Sequence, residues 1–400
     1  MRSWLGRRWG RWIGFSAAIL AVSRQTAAIL AVCLLALGAA LSWHFSSAIV
    51  VPDHSSWSEE VDVEALPPGR IRLRRSEATE RPGTYGLDWD AGHAIVGPIL
   101  DQTSQTVTRR LTEIRGYLEP GTDAGLDSTV YAGGPREARG LSFRSVQVPD
   151  ELGPMPAWLI PAGSRTWAIV VHGINDDREA GLRIAPTLRR AGLPSLLISY
   201  RGDLGAPASP DGMHHQGETE WQDLAAAVRY AVHRGASRVV LIGYSMGGAL
   251  IAQLMERSPL SARVAGLVLD SPALDWKAIL EFNAERMGLP GFFALPVEWA
   301  LDVRTGPDWS SLDAVAHPED FKLPILLFHG REDRVVPISN SDAFAAELGG
   351  HVTYYRVPAA GHTQSWNVNP ALYDTRLQRF LSQVAPATGR ARPLGSGSTK

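Results

Sequence analysis

Residues 239–248 read Val239-Val240-Leu241-Ile242-Gly243-Tyr244-Ser245-Met246-Gly247-Gly248. A short apolar run meets a serine set between Gly243 and Gly247, and residues 249–256 continue with helical character. This is the G-x-S-x-G pattern of a strand, a sharp turn and a helix. Such a turn strains the serine backbone, and side chains at the flanking positions would strike the strand or the helix, so glycine is used there. The hydroxyl then stands at a helix N-terminus, where free N–H groups favour a developing negative charge. The pattern alone also describes a tight turn with a solvated serine, so its surroundings must decide.

Working outward, residues 141–148 and 155–161 alternate as a hairpin would. Apolar strand runs at 168–171, 195–199, 238–243, 266–270, 325–329 and 352–357 then alternate with helix-length segments at 178–191, 218–233, 246–256, 340–348 and 372–382. That alternation predicts an α/β fold with a mostly parallel, doubly wound sheet and helices on both faces. The strand at 325–329 leads into Arg331-Glu332-Asp333-Arg334, and the last strand leads into Pro358-Ala359-Ala360-Gly361-His362. Of eleven histidines, His362 alone lies in that last loop.

A serine hydroxyl is a poor nucleophile at neutral pH. An imidazole, whose ordinary pKa is about 6.5, can take its proton and later return it to a leaving group. Asp333 would hold that imidazole in the required tautomer. Glu332 beside it and Asp270 at the end of the preceding strand are the alternative acids. An oxyanion formed at Ser245 needs two backbone N–H donors. Met246 supplies one, and Ile174 in the His172-Gly173-Ile174-Asn175 turn supplies the other. His172 shapes the loop.

These residues carry a resemblance. Residues 140–385 resemble the α/β-hydrolase superfamily, in the branch of serine-aminopeptidase-like, monoacylglycerol-lipase-like and prolyl-oligopeptidase-like domains. The resemblance rests on His172-Gly173, the Tyr200-Arg201-Gly202 turn, Gly243-x-Ser245-x-Gly247, Asp333 and His362, with Glu218 to Asp223 opening the helix before the elbow strand. It implies the triad order Ser245, Asp333, His362. The Gly330-x-x-Asp333-x-x-Val336-Pro337 run is similar to the superfamily's acid loop, which favours Asp333. Such enzymes use no cofactor. Residues 50–135 and the N-terminal segment depart from the short soluble members.

The superfamily inserts a lid between the strand at 266–270 and the acid-bearing strand. Here residues 273–320 carry Trp276, Phe282, Phe292, Phe293, Leu295, Trp299 and Trp309. The expectation is a helical cap over Ser245 enclosing an apolar acyl pocket. Residues 203–215 form a second rim. Its Asp211-x-x-His214-His215 has no third ligand at convincing spacing, so no metal site is assigned.

At the N-terminus, residues 25–43 contain no charged residue, and nineteen helical residues span about 28 Å, enough for a bilayer core. Five arginines (Arg2, Arg7, Arg8, Arg11, Arg24) precede the stretch with no acid among residues 1–50. This predicts a single-pass signal anchor at 25–45, a cytoplasmic basic segment at 1–24 and an extracytoplasmic catalytic domain. Trp4, Trp9, Trp12 and Trp43 suit the membrane interfaces. The alternative is a secreted protein after cleavage near Gly38-Ala39-Ala40; the long basic lead favours the anchor. Val32 precedes Cys33 where a lipoprotein signal carries a small residue. Cys33 is the single cysteine, so no disulfide forms within the chain.

With 45% hydrophobic and 20% charged residues, the chain can bury a large core. Net charge is −2, and the basic excess sits at one end, so nothing points to nucleic acid. Residues 46–69 read as a linker and 70–139 as a small β-rich extension with strands near 70–74, 85–89, 94–97 and 106–114 and a loop over 117–139. Residues 386–400, rich in Gly, Pro and Ser, read as a disordered tail.

The expected function is a membrane-anchored serine hydrolase that cleaves carboxyl esters of acyl, lipid-like small molecules through an acyl-enzyme. Peptidase, amidase or acyltransferase chemistry on the same residues is the alternative. A different class is a non-catalytic ligand- or partner-binding domain, against which the intact Ser/Asp/His set argues. Oligomeric state is left open.

Overall fold

Three parts follow one another along the chain in the computed structural model, which describes residues 6–55, 58–306, 309 and 312–386. Most of the tail, 387–400, lies outside the described residues, as does Trp4.

The first part is helix α1 (Gly6–Val50). Its stretch Thr26–Val50 has a mean hydropathy of 2.1 and is long and apolar enough to cross a membrane, a test that signal sequences also meet. Ile29, Leu30, Val32, Leu37 and Trp43 are exposed on it. Ser42, Ser46 and Val50, one helical face by their spacing of four, are buried against protein. The helix runs through 46–50, where the sequence suggested a linker. Nothing breaks it before Pro52, which disfavours helical backbone at the preceding residue.

The second part is a closed, wholly antiparallel barrel of β1 (Glu59–Ala65), β2 (Arg70–Arg74), β3 (Tyr85–Trp89), β4 (Gly92–Gln102), β5 (Thr106–Arg115) and β6 (Asp123–Asp127), in the order β1-β2-β5-β4-β3-β6. Alternating side chains such as Ile71, Leu73, Leu87, Ala94 and Val96 fill it. Arg109 is buried, donating to the carbonyls of Thr79, Arg81, Gly83 and Gly97, and burial pushes its pKa down to about 10. Helix α2 (Glu77–Glu80) sits between strands, and α3 (Pro135–Arg139) follows the barrel. Two strands lie where the sequence suggested linker and loop. β1 has only Val61 and Val63 buried among carboxylates, and β6 is Asp-Ala-Gly-Leu-Asp. Neither has strong strand propensity. They pair with each other and so close the barrel, which removes its open edges.

The third part is an eight-stranded sheet in the order β14-β13-β12-β11-β9-β10-β8-β7. Its strands are β7 (Arg144–Val148), β8 (Met155–Ile160), β9 (Thr166–Val171), β10 (Ser195–Ile198), β11 (Arg238–Tyr244), β12 (Val264–Asp270), β13 (Ile325–Gly330) and β14 (Val352–Val357). β7 and β8 form the antiparallel hairpin, and β9 to β14 run parallel. Helices α5 (Trp221–His233), α6 (Met246–Arg257), α7 (Trp276–Arg286), α8 (Leu295–Thr305) and α9 (Ile338–Leu348) share one apolar layer. The other face is covered by α4 (Ala185–Arg190) and α11 (Pro370–Val384), with α10 (Ser365–Val368) between strand and helix. Residues 178–191 are not one helix: a 3-10 turn at Arg178–Arg183 precedes α4. Pro186, near the start of α4, cannot donate the hydrogen bond that would continue the earlier turn.

Candidate active site

β11 is central in the sheet, between β9 and β12, and delivers Ser245 at its carboxyl end. Ser245 has φ 50° and ψ −118°, a strained left-handed backbone. The glycines around it are required by close approach. A Cβ on Gly243 would lie 2.7 Å from the Gly247 carbonyl carbon, and one on Gly247 would lie 2.5 Å from the Val171 carbonyl oxygen.

Three side chains from separate loops meet here. Nε2 of His362 lies 2.8 Å from the Ser245 Oγ. Its Nδ1 lies 2.8 Å from Oδ2 of Asp333. Oδ1 of Asp333 accepts from the N–H groups of Val335 and Val336 at 2.9 and 3.0 Å. Burial alone would raise the Asp333 carboxyl, but His362 and His329 beside it outweigh burial and hold it well below the usual carboxylate range. His329 was not singled out in the sequence. It is buried, 3.3 Å from Asp333 by Nε2 and 2.7 Å from the Ser341 Oγ by Nδ1. Its place four residues before Asp333 at the end of β13 was the available signal.

The alternative acids are not brought to His362. Glu332 is exposed. Asp270 is buried, takes a hydrogen bond from the Ser365 hydroxyl at 2.8 Å, and is pushed up to about 6 by burial. Its backbone carbonyl accepts from the Ser245 N–H.

Met246 opens α6, so its N–H belongs to the first turn, whose donors have no acceptor within the helix. Gly173 passes so close that a Cβ on it would lie 3.2 Å from the Ser245 Cβ. Ile174 lines the cavity beside the hydroxyl. His172 holds this turn. Its Nδ1 lies 2.8 Å from the Gly173 carbonyl and its Nε2 2.8 Å from Asp203 Oδ2. Both partners are acceptors, so both ring nitrogens carry protons. Burial opposes that charge, but Asp203 prevails and the pKa is raised to about 9. The Tyr200 hydroxyl donates to the same Gly173 carbonyl at 2.6 Å. Arg201 pairs with buried Asp223 at 2.6 Å. His215 bonds Asp211 at 3.0 Å, and buried His214 donates its backbone N–H to the Val50 carbonyl.

The turn also touches the end of α1. Asp53 donates its N–H to Asn175 Oδ1 at 3.0 Å, and Gln216 donates to the Ile49 carbonyl at 2.7 Å. Sequence spacing carried no sign of this junction.

A cavity of about 500 Å³ opens over Ser245. No described residue of 273–320 lines it, so the helices expected to cover the serine are corrected to a place beside the cavity. α7 packs beside the Asp333 loop instead, with Asn283 and Arg286 donating to the carbonyls of Val335 and Arg334. The barrel supplies the opposite wall with Glu59, Asp88, His93 and Asp127, followed by Val130 and Tyr131. Asp176, Asp177 and Glu179, just after the turn at 172–175, complete it. Apolar side chains, among them Val130, Ile174, Leu204 and Val335, share the lining with these carboxylates. Among the described residues, no Lys or Arg lines the cavity, although Arg81 pairs with Glu59 from behind it. Burial pushes Asp176 up to about 6 and Glu179 to about 8, and raises Asp127.

Arg183 and Asn367 clamp the barrel to the body. Arg183, buried, donates to the carbonyls of Ser128 and Thr363 and to Asn367 Oδ1. Asn367 donates to the carbonyls of Thr84 and Ser128. Thr363 adjoins His362, so the barrel is tied to the histidine loop.

Comparison with known proteins agrees with this architecture. Residues 183–386, just over half of the chain, match the model of the prolyl oligopeptidase family. Residues 61–127 match a model described as a domain of unknown function (DUF8805). An uncharacterized protein of Mycobacterium tuberculosis is 28% identical over 57% of this chain and 75% of its own length. The alpha/beta hydrolase domain-containing protein WAV2 of Arabidopsis thaliana is 28% identical over 48% of this chain and 61% of its own. The fold is similar to that of the Pyrococcus furiosus esterase Pf2001, with TM-score 0.52, 20% identity, and coverage of 64% of this chain and 98% of that one. The chain belongs to the prolyl oligopeptidase family of the α/β-hydrolase superfamily, with a helix and a barrel added before its catalytic fold.

Proposed function

We propose that this chain is a membrane-anchored serine hydrolase that cleaves carboxyl esters of small molecules through an acyl-enzyme on Ser245. The observation that carries the reading is the unbroken line of short contacts from Ser245 Oγ through His362 to Asp333, 2.8 Å at each step. His362 Nε2 takes the hydroxyl proton as Oγ attacks the substrate carbonyl carbon. The oxyanion is received by the N–H groups of Ile174 and Met246. The intermediate collapses, the C–O bond to the leaving group breaks, and His362 returns the proton to the departing alkoxide. Water, deprotonated by the same imidazole, then attacks the acyl-enzyme and releases the acid and Ser245. Asp333 keeps Nδ1 protonated and stabilises the imidazolium.

Labelling by a fluorophosphonate probe tests this. The wild-type protein labels and hydrolyses p-nitrophenyl acyl esters, and Ser245→Ala abolishes both. Wild-type protein that never labels would favour a ligand-binding domain without catalysis.

A second reading, peptidase or amidase action on the same residues, is favoured by the carboxylates of the cavity wall, which would pair with an ammonium group of a peptide. Comparing kcat/KM for matched esters and amides, each with and without a free amino group, separates the two. For the anchor, the support is the apolar stretch Thr26–Val50 with all five nearby arginines before it. External protease applied to intact cells should digest the body and spare the N-terminus; a body protected from protease would reverse the orientation.

A further inference from the structure

The turn before α8 and α8 itself carry two apolar faces. One is inward, with Ala294 and Leu301 buried. The other is outward. Phe292, Leu295, Trp299 and Val303 are 64, 54, 67 and 61% exposed, at intervals of three and four that place them along one side. On an ordinary surface helix that side carries the charges. Phe293, also exposed, stacks on Phe292 with ring centroids 4.9 Å apart. A contiguous apolar patch of this kind marks a contact surface.

Its neighbour indicates the contact. α8 runs beside the last turns of α1. Arg304 donates to the hydroxyls of Ser46 and Ser47 at 2.9 and 2.7 Å, and its guanidinium lies 4.5 Å from the centroid of the Trp43 ring. On α1, Leu41 and Leu37, about one and two turns before this junction, are exposed. The patch therefore continues the apolar surface of the helix at the level of Trp43, where an aromatic ring and a cation suit a bilayer boundary.

We propose that Phe292, Leu295, Trp299 and Val303 dock on the lipid bilayer at the level of its headgroups, laying the catalytic body against the membrane. This rests on the anchor reading above. An exposed apolar helix face of this composition enters the headgroup–acyl boundary, and the tether makes that binding intramolecular. Residues 273–320 then act as a membrane foot.

The test uses the full chain in phosphatidylcholine vesicles, with Cys33→Ser removing the native thiol. Single cysteines replace Leu37, Phe292, Trp299 or Leu372, the last exposed on α11 across the sheet. Each carries an environment-sensitive fluorophore, and fluorophosphonate labelling reports folding. The expected result is that lipids bearing shallow spin labels remove most emission at 292 and 299, as deep ones do at 37, and leave 372 unquenched. Quenching at 37 without quenching at 292 or 299 would sink the foot and leave the anchor standing. No quenching at 37 would overturn the anchor and the foot together.

Discussion

The barrel and the segment 273–320 exchange the roles that composition assigns them. The barrel is small, polar outside and reads as a bland extension, yet it forms one wall of the cavity over Ser245. The 273–320 segment is aromatic and sits where a lid is expected, yet no described residue of it reaches that cavity. The difference teaches that aromatic content reports a surface to be covered and does not say by what. The polar side chains of the cavity wall are scattered along the sequence and are brought together by different strands and loops.

The comparison has content only if the cavity is the reaction site, and the largest expected effect tests that. Asp333→Asn should lower kcat about 10⁴-fold, by favouring the wrong imidazole tautomer, whereas Asp270→Asn should change it little. The reverse result would move the acid to β12. Next is the clamp between barrel and body. Arg183→Ala removes the donor to the Thr363 carbonyl and to Asn367 Oδ1 and should cost about 3 kcal/mol. Thermal unfolding should show the loss, together with reduced kcat; Trp299→Ser in detergent should leave both near wild type. If Arg183→Ala is silent, the barrel is not a working part of the site.

A smaller effect probes the wall itself. Asp88→Asn or Asp177→Asn should raise KM for a cationic ester about fivefold, the value of roughly 1 kcal/mol for a partly exposed ion pair, with a neutral ester unaffected. Equal effects on both esters would mean that the wall does not select charge. The wall should also titrate. Asp176 and Glu179 have pKa values raised to about 6 and about 8, so negative charge accumulates as pH rises from 6 to 8. KM for the cationic ester should fall over that range relative to the neutral one.

A last effect, on stability and not on turnover, concerns His172, held at about 9 against an ordinary value near 6.5. A raised histidine stabilises the fold fully below its unfolded pKa, and that contribution is lost as pH rises through about 9. Chemical denaturation should show the wild type losing stability between pH 7 and 10, with His172→Gln lacking most of that slope.

Much of the catalytic fold was legible because its signals are local or ordered along the chain. Strand runs as at 238–243 and 352–357 are apolar on both faces or end in loops with the needed residue, and Ser245, Asp333 and His362 follow one another in the order the scaffold uses. The structure places these three within hydrogen-bond reach. β1 and β6 were not legible, since two inward valines and an Asp-Ala-Gly-Leu-Asp run become strands only when a barrel needs closing. His329 was hidden because a buried histidine at a strand end looks like core.

By itself, the sequence determined where the strands of the parallel sheet end, which residue types stand at those ends, and that one helix at the N-terminus is long and apolar enough for a bilayer. These follow from side-chain periodicity and backbone sterics, which act within a few residues. Only the tertiary structure decided what covers Ser245, what α8 faces, and that the chain just after α1 is bonded to the turn at 172–175. Such contacts join residues far apart in sequence, such as Asp53 with Asn175 and Arg183 with Asn367. Their partners are selected by packing and by the need to satisfy buried polar groups, which no local pattern records.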